Sequence, residues 1–200
     1  MSIDDDPVLS EAARPVAVTD PPEVRKNPSG LRNALEWVVI AVGALLVAFV
    51  IKTFLLQAFY IPSLSMAPTL KVNDRVLVNK LSYDLHEVNR GDLIVFESPP
   101  DEGSETKDLI KRVIGLPGET VESRDGRMVV NGRVLDEPYL DDGVMTGALE
   151  KTTIPPDHLW VMGDNRSNSR DSRFFGPIPE SLVIGRAFVR VWPVTALSLL

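Results

Sequence analysis

From Trp37 to Ile51 the chain carries no charge and almost no polar side chain, and after Lys52 and Thr53 the apolar character resumes through Phe54-Leu55-Leu56 to Phe59. No other segment narrows the possible folds as much. A helix over Trp37 to Phe59 would be about 34 Å long at 1.5 Å per residue, against a hydrocarbon core of about 30 Å. It would have no polar face to turn to water, so it reads as a membrane span rather than a core helix. The run exceeds the ~7–15 apolar residues of a cleaved signal sequence. A long polar stretch precedes it and no small-x-small triplet follows. It therefore reads as a retained anchor over residues 34–59, with Lys52 placed to snorkel at the outer end. Arg25, Lys26 and Arg32 precede the span, and Lys52, Lys71 and Arg75 lie at or after its far end. The positive-inside count is thus nearly balanced and leans only slightly toward an inside amino terminus.

Residues 1–33 read as a disordered tail, rich in proline, with the acidic run Asp4-Asp5-Asp6 and no aromatic residue. Residues 60–200 read as one mainly β domain. Runs such as Arg75-Val76-Leu77-Val78, Asp92-Leu93-Ile94-Val95-Phe96 and Leu159-Trp160-Val161-Met162 are rich in branched and aromatic side chains. Asp125-Gly126 and Asn131-Gly132 are hairpin signals, because both pairs tolerate positive φ. The final stretch from Val194 to Leu200 is apolar but too short to span a bilayer.

Several chemistries are excluded at once. The chain has no cysteine, which removes thiol nucleophiles, thiolate metal sites and disulfides. Its histidines number two, His86 and His158, too few for a histidine-built metal site. A net charge of −7 without clustered basic residues argues against a nucleic-acid surface.

Three segments remain that could carry chemistry. Ile61-Pro62-Ser63-Leu64-Ser65-Met66-Ala67-Pro68-Thr69-Leu70 is stiffened by two prolines and expected to be extended, with Ser63 and Ser65 presenting hydroxyls to the same side. A serine nucleophile needs a base. Either histidine, each near an aspartate (Asp84, Asp157), reads more simply as a surface residue. A lysine serves as base only where burial or a neighbouring positive charge lowers its pKa. Lys111, in Asp108-Leu109-Ile110-Lys111-Arg112-Val113-Ile114-Gly115-Leu116-Pro117-Gly118, has apolar flanks and an arginine beside it. Composition alone equally permits a Lys-Arg pair on an exposed sheet edge. The third segment, Gly163-Asp164-Asn165-Arg166-Ser167-Asn168-Ser169-Arg170-Asp171-Ser172-Arg173, is dense in hydrogen-bonding groups and could be a rigid support or a solvated turn.

In order and spacing, Ser-Met-x-Pro-Thr, Gly-Asp-x-Ile-Val-Phe, Lys-Arg-Val-Ile-Gly-Leu-Pro-Gly and Gly-Asp-Asn-Arg-x-x-Ser-x-Asp-Ser-Arg closely resemble the bacterial type I signal peptidases, roughly from Phe54 to Trp192. The resemblance implies a barrel-like β catalytic domain behind one transmembrane helix, with a short variable insertion at about residues 122–153 outside the catalytic core. It implies Ser65 as nucleophile, Lys111 as general base, Ser63 as an oxyanion-hole donor and Ser169 as the residue that orients the lysine. It implies structural ion pairs among Arg112, Asp164, Asp171 and Arg173. It implies apolar substrate pockets lined by Phe59, Ile61, Pro62, Met66, Leu70, Val95 and Ile110. Two positions depart from the family pattern: Leu64 stands where many relatives have glycine, and Ser167 where some have aspartate.

The implied activity is removal of signal peptides from exported preproteins, at small-x-small sites, through an acyl-enzyme and without metal or cofactor. The implied location is a bacterial plasma membrane, single-pass, with the catalytic domain on the outer face. Ser65 follows Phe59 by six residues, at most about 20 Å of extended chain. A nucleophile tethered so close to the bilayer would meet membrane-held substrates at raised effective concentration. Two other readings fit parts of the pattern: a self-cleaving Ser-Lys protease related to the SOS repressors, and a non-catalytic tethered β-domain.

Overall fold

The structure, a computed structural model, describes residues 29–50, 55–100 and 107–200. The chain divides into two units, Met1–Gly43 and Ala44–Leu200. Helix α1 covers Ser29–Val50. Its stretch Arg32–Val50 is long and apolar enough to cross a membrane, and none of it is buried by the protein. Nineteen residues at 1.5 Å each give about 28 Å.

The helix departs from the sequence expectation at both ends. It begins at Ser29, inside the stretch assigned to a disordered tail; residues 1–28 of that tail lie outside the described residues. It is described only to Val50, and Lys52, expected to snorkel, lies outside the described residues. Within the second apolar stretch, Leu56–Tyr60 forms strand β1, paired antiparallel with β2 (Arg75–Asn79) from Leu56↔Asn79 to Tyr60↔Arg75. Phe59 packs against the core cluster of Ile61, Met66 and Leu70. Backbone pairing and this packing draw the segment into the β-body, so the tether counted from Phe59 has no counterpart.

The body is mainly β, as expected. Further strands are β3 (Leu93–Glu97), β4 (Asp108–Gly115), β5 (Thr120–Arg124), β6 (Arg127–Val130), β7 (Arg133–Val134), β8 (Thr152–Thr153), β9 (His158–Met162), β10 (Ile178–Pro179), β11 (Val183–Trp192) and β12 (Ser198–Leu199). Among the described residues they form two sheets. One runs β1-β2-β11-β3-β4-β9-β10, with β12 beside β11; the other runs β7-β6-β5-β8. Strand β2 alternates in burial, with Val76 and Val78 inside. Strand β3 is buried from Leu93 through Phe96 because both its faces are covered. The second sheet is built on the two hairpins read from sequence. Asp125, Gly126, Asn131 and Gly132 all have positive φ, the backbone that two-residue hairpin loops require.

Two four-residue helices, α2 (Ser82–Leu85) and α3 (Ser172–Phe175), interrupt the strands. Among the described residues three buried clusters share the interior: one under β1, β2 and the Ile61–Leu70 segment, one around Phe96 and Leu159, and one joining the second sheet to Trp160 and Met162. Phe96 is wholly buried at the centre of the main sheet. Phe96→Ala is expected to cost about 3–5 kcal/mol, read by denaturant unfolding in detergent micelles. A loss below 1 kcal/mol would mean that this cluster is not the core of the sheet.

Candidate active site

The Ile61–Leu70 segment leaves the sheet at the end of β1 and returns to it before β2. Its ends are joined by Ile61 N–H to Asp74 O and Asn73 N–H to Ile61 O, both 3.0 Å. It is not the extended strand expected. Ala67 N–H donates to Leu64 O and Leu70 N–H to Met66 O, so the segment curls into tight turns. The reason is burial: Ile61, Met66 and Leu70 all turn into the core, which an extended two-residue alternation cannot achieve.

This curl still brings Ser63 and Ser65 together, with their hydroxyls 3.2 Å apart. Strand β4 delivers the lysine. Lys111 lies opposite Ile94 of β3 and is 3 % exposed. Its Nζ donates to Ser65 Oγ at 2.9 Å and to the Ile110 carbonyl at 3.1 Å. The Ser65 backbone N–H donates to no backbone carbonyl among the described residues. A carbonyl carbon approaching Ser65 Oγ would therefore meet a nucleophile, an adjacent amine, a hydroxyl and an N–H within one small volume.

Beside these groups is a cleft of about 80 Å³, lined by Phe59, Ile61, Pro62, Val95 and Ile110 together with Tyr60, Ser63, Asp108 and Leu109. Met66 and Leu70, expected among the pocket residues, do not line it. Both are fully buried beneath the serines, where their size anchors the turn. Leu64 is half exposed and not part of the cleft lining. Tyr60, Asp108 and Leu109 were not anticipated. Their flanking position beside Phe59 and Ile110 was the available signal.

Arg112 turns away from the serines and grips Asp164 with two bonds, Nε to Oδ1 at 2.8 Å and Nη2 to Oδ2 at 2.7 Å. Asp164 also accepts from Thr69 Oγ1 at 2.5 Å, tying the nucleophile segment to the third motif. Arg173 holds Asp171 in the same two-pronged way, both bonds at 2.8 Å. Parallel guanidinium–carboxylate bonds fix orientation as well as charge. Asn165 N–H donates to Ser65 O at 3.0 Å. Gly163 is where only glycine fits. A Cβ there would lie 2.4 Å from the Ser65 carbonyl oxygen and 2.2 Å from Ser169 Oγ.

Ser169, expected to hydrogen-bond and orient Lys111, does not do so. Its buried hydroxyl instead lies beside the Asp171 carboxylate, which it helps to hold ionised. Ser167 lies at the surface and donates to Asn165 Oδ1. Among the described residues no group of three or more histidine, aspartate or glutamate side chains is gathered to hold a metal.

A family model described as signal peptidase, peptidase S26, matches residues 34–192. The chain is 42 % identical over 197 residues to a signal peptidase I of Leptolyngbya laminosa, covering 94 % of this chain and 95 % of that one. It is 44 % identical over 183 residues to a probable signal peptidase I-2 of Synechocystis, covering 88 % and 82 %. It is 36 % identical to a signal peptidase I of Mycobacterium tuberculosis, covering 92 % and 80 %. Among solved structures, a signal peptidase I from Enterococcus faecalis is 33 % identical, with a TM-score of 0.44, covering 50 % of this chain and 97 % of that one.

The two ion pairs differ from surface pairs in being almost dry. Burial alone would raise the Asp171 carboxyl, but the Arg173 guanidinium and the Gly163 N–H outweigh it and hold the group below the ordinary carboxylate range. A carboxyl depressed on folding stabilises above its unfolded value of about 3.9 and loses that contribution as pH falls through the lower folded value. Asp171→Asn is expected to cost about 3 kcal/mol at pH 7, because Arg173 loses its counter-charge. Denaturant unfolding at pH 7 and at successively lower pH should show the gap between wild type and variant closing below about pH 4. A gap independent of pH would rule out the ionised pair.

Proposed function

Because the chain belongs to the signal peptidase family, peptidase S26, we propose that Ser65 is its nucleophile and Lys111 its general base. The family's activity is the removal of signal peptides from preproteins, a membrane-associated hydrolysis. The observation that carries the residue assignment is the 2.9 Å contact between Lys111 Nζ and Ser65 Oγ, both shielded from water.

Lys111 in its neutral form takes the Ser65 proton as Oγ attacks the scissile carbonyl. The Ser65 N–H and the Ser63 hydroxyl stabilise the oxyanion, each such donor being worth about 3 kcal/mol in the transition state. The lysine ammonium then protonates the leaving amine. Water, activated by the same amine, releases the acyl group and regenerates the hydroxyl. The apolar walls of Phe59, Ile61, Val95 and Ile110 disfavour the ammonium form of the base between turnovers. The same walls support a preference for small side chains next to the scissile bond. A cleft of about 80 Å³ is far below the ~300 Å³ or more of a drug-sized site. Helix α1 supports a single-pass anchor, and the reading places the catalytic domain on the outer face of a bacterial plasma membrane, where exported preproteins emerge.

Ser65→Ala and Lys111→Ala are expected to abolish preprotein cleavage while unfolding like wild type, and Ser63→Ala to lower kcat by about 10²–10³. Cleavage by purified Lys111→Ala enzyme would remove the dyad. A free lysine titrates near 10.4. The acid limb of the kcat/KM profile is expected well below that value, because burial disfavours the charged amine.

A further inference from the structure

The stretch at about residues 122–153 reads from sequence as an insertion outside the catalytic core. In the structure its Glu137-Pro138-Tyr139 segment reaches back onto Arg166 and Arg112. Arg166 follows the Asp164-Asn165 pair, and its side chain is 0 % exposed. Its Nη2 donates to Glu137 Oε1 at 2.5 Å, its Nη1 to Thr146 Oγ1 at 2.7 Å, and its Nε to the Gly163 carbonyl at 3.1 Å. The Tyr139 hydroxyl donates to the same Glu137 oxygen at 2.6 Å. The Tyr139 ring lies 3.9 Å from the Arg112 guanidinium carbon, the arrangement of a desolvated cation–π contact.

These contacts converge on the reacting pair. Arg166 braces the Gly163 carbonyl at one end of a short loop whose Asn165 N–H holds the Ser65 carbonyl. Arg112 adjoins Lys111 in β4, and Tyr139 covers the guanidinium that Asp164 holds on its edge. Removing Glu137 would leave Arg166 as a buried charge without its counter-ion, which the loop could relieve only by moving. A displacement of that loop moves Ser65, since Gly163 has no space to spare against the serine's carbonyl.

We propose that Glu137 and Tyr139 form a positioning clamp, through which the insertion holds Ser65 and Lys111 in register by way of Arg166 and Arg112. The inference rests on the Ser65–Lys111 reading and adds two positioning residues to it.

The test uses the full-length enzyme in detergent, a peptide substrate with alanines at the small-x-small positions, and a serine-acylating titrant to count active sites. Glu137→Gln and Tyr139→Leu are expected to lower kcat per titrated site roughly tenfold to hundredfold, as small misplacements of reacting groups do, with KM within about twofold. Tyr139→Phe keeps the ring over Arg112 and is expected to retain kcat within about threefold. A merely structural role would lower the melting temperature and the titratable fraction but leave kcat per site unchanged. That result would overturn the clamp. Should Glu137→Gln fail to fold, Thr146→Val removes one bond to Arg166, and an unchanged kcat per site there would overturn the clamp equally. Ser65→Ala run in parallel separates the two readings. Cleavage by that variant defeats the dyad, whereas an inactive Ser65→Ala beside fully active clamp variants defeats the clamp alone.

Discussion

An amine placed 2.9 Å from a hydroxyl can accept its proton only if water is kept from stabilising the ammonium form. Under the proposed dyad, the rest of the site follows from this constraint. The lysine has to be carried on a rigid element, and β4 is one, paired on both sides by β3 and β9. The serine has to be held against it from another part of the chain, and Met66 and Leu70 do this by filling the core beneath the turn. Apolar packing thus sets the position of the hydroxyl, and sheet pairing sets the position of the amine.

Polar groups supply the precision that packing lacks. Arg112 with Asp164 and Arg173 with Asp171 are each joined by two parallel bonds, almost without solvent. Such pairs add little net stability relative to apolar packing, but losing one partner leaves a charge stranded. They therefore tolerate few geometries. Through Thr69, Asn165 and Gly163 that intolerance is passed to the Ser65 turn. Glu137 and Tyr139 extend the same logic outward, meeting Arg166 and Arg112 respectively.

The two hairpins were legible because Asp125-Gly126 and Asn131-Gly132 encode their own backbone. The ordered serine, lysine and Gly163 segments were legible because their spacing is itself specific. The anchor was half legible. Hydropathy marked the apolar run but could not tell helix from strand in Leu56–Tyr60, since an apolar stretch suits either and the strand partner, Arg75–Asn79, is distant in sequence. Met66 and Leu70 were placed in the wrong surroundings for the same reason: apolar character says that a side chain avoids water, not whether it lines a cleft or fills the core. Glu137 and Tyr139 were missed because a Glu-Pro-Tyr run in a polar stretch looks like any turn until a buried arginine is brought to it.

By itself, then, the sequence determined the chemistry on offer: no thiol, too few histidines, two serines two residues apart, one lysine with apolar flanks, and an apolar helix near the amino end. These are local properties, carried by residue type and spacing. Tertiary structure alone decided that Lys111 and Ser65, 46 residues apart, are in contact, and that Glu137 and Tyr139 meet Arg166 and Arg112. Those outcomes depend on strand pairing and core packing between distant segments, where a few tenths of an ångström separate a hydrogen bond from a near miss.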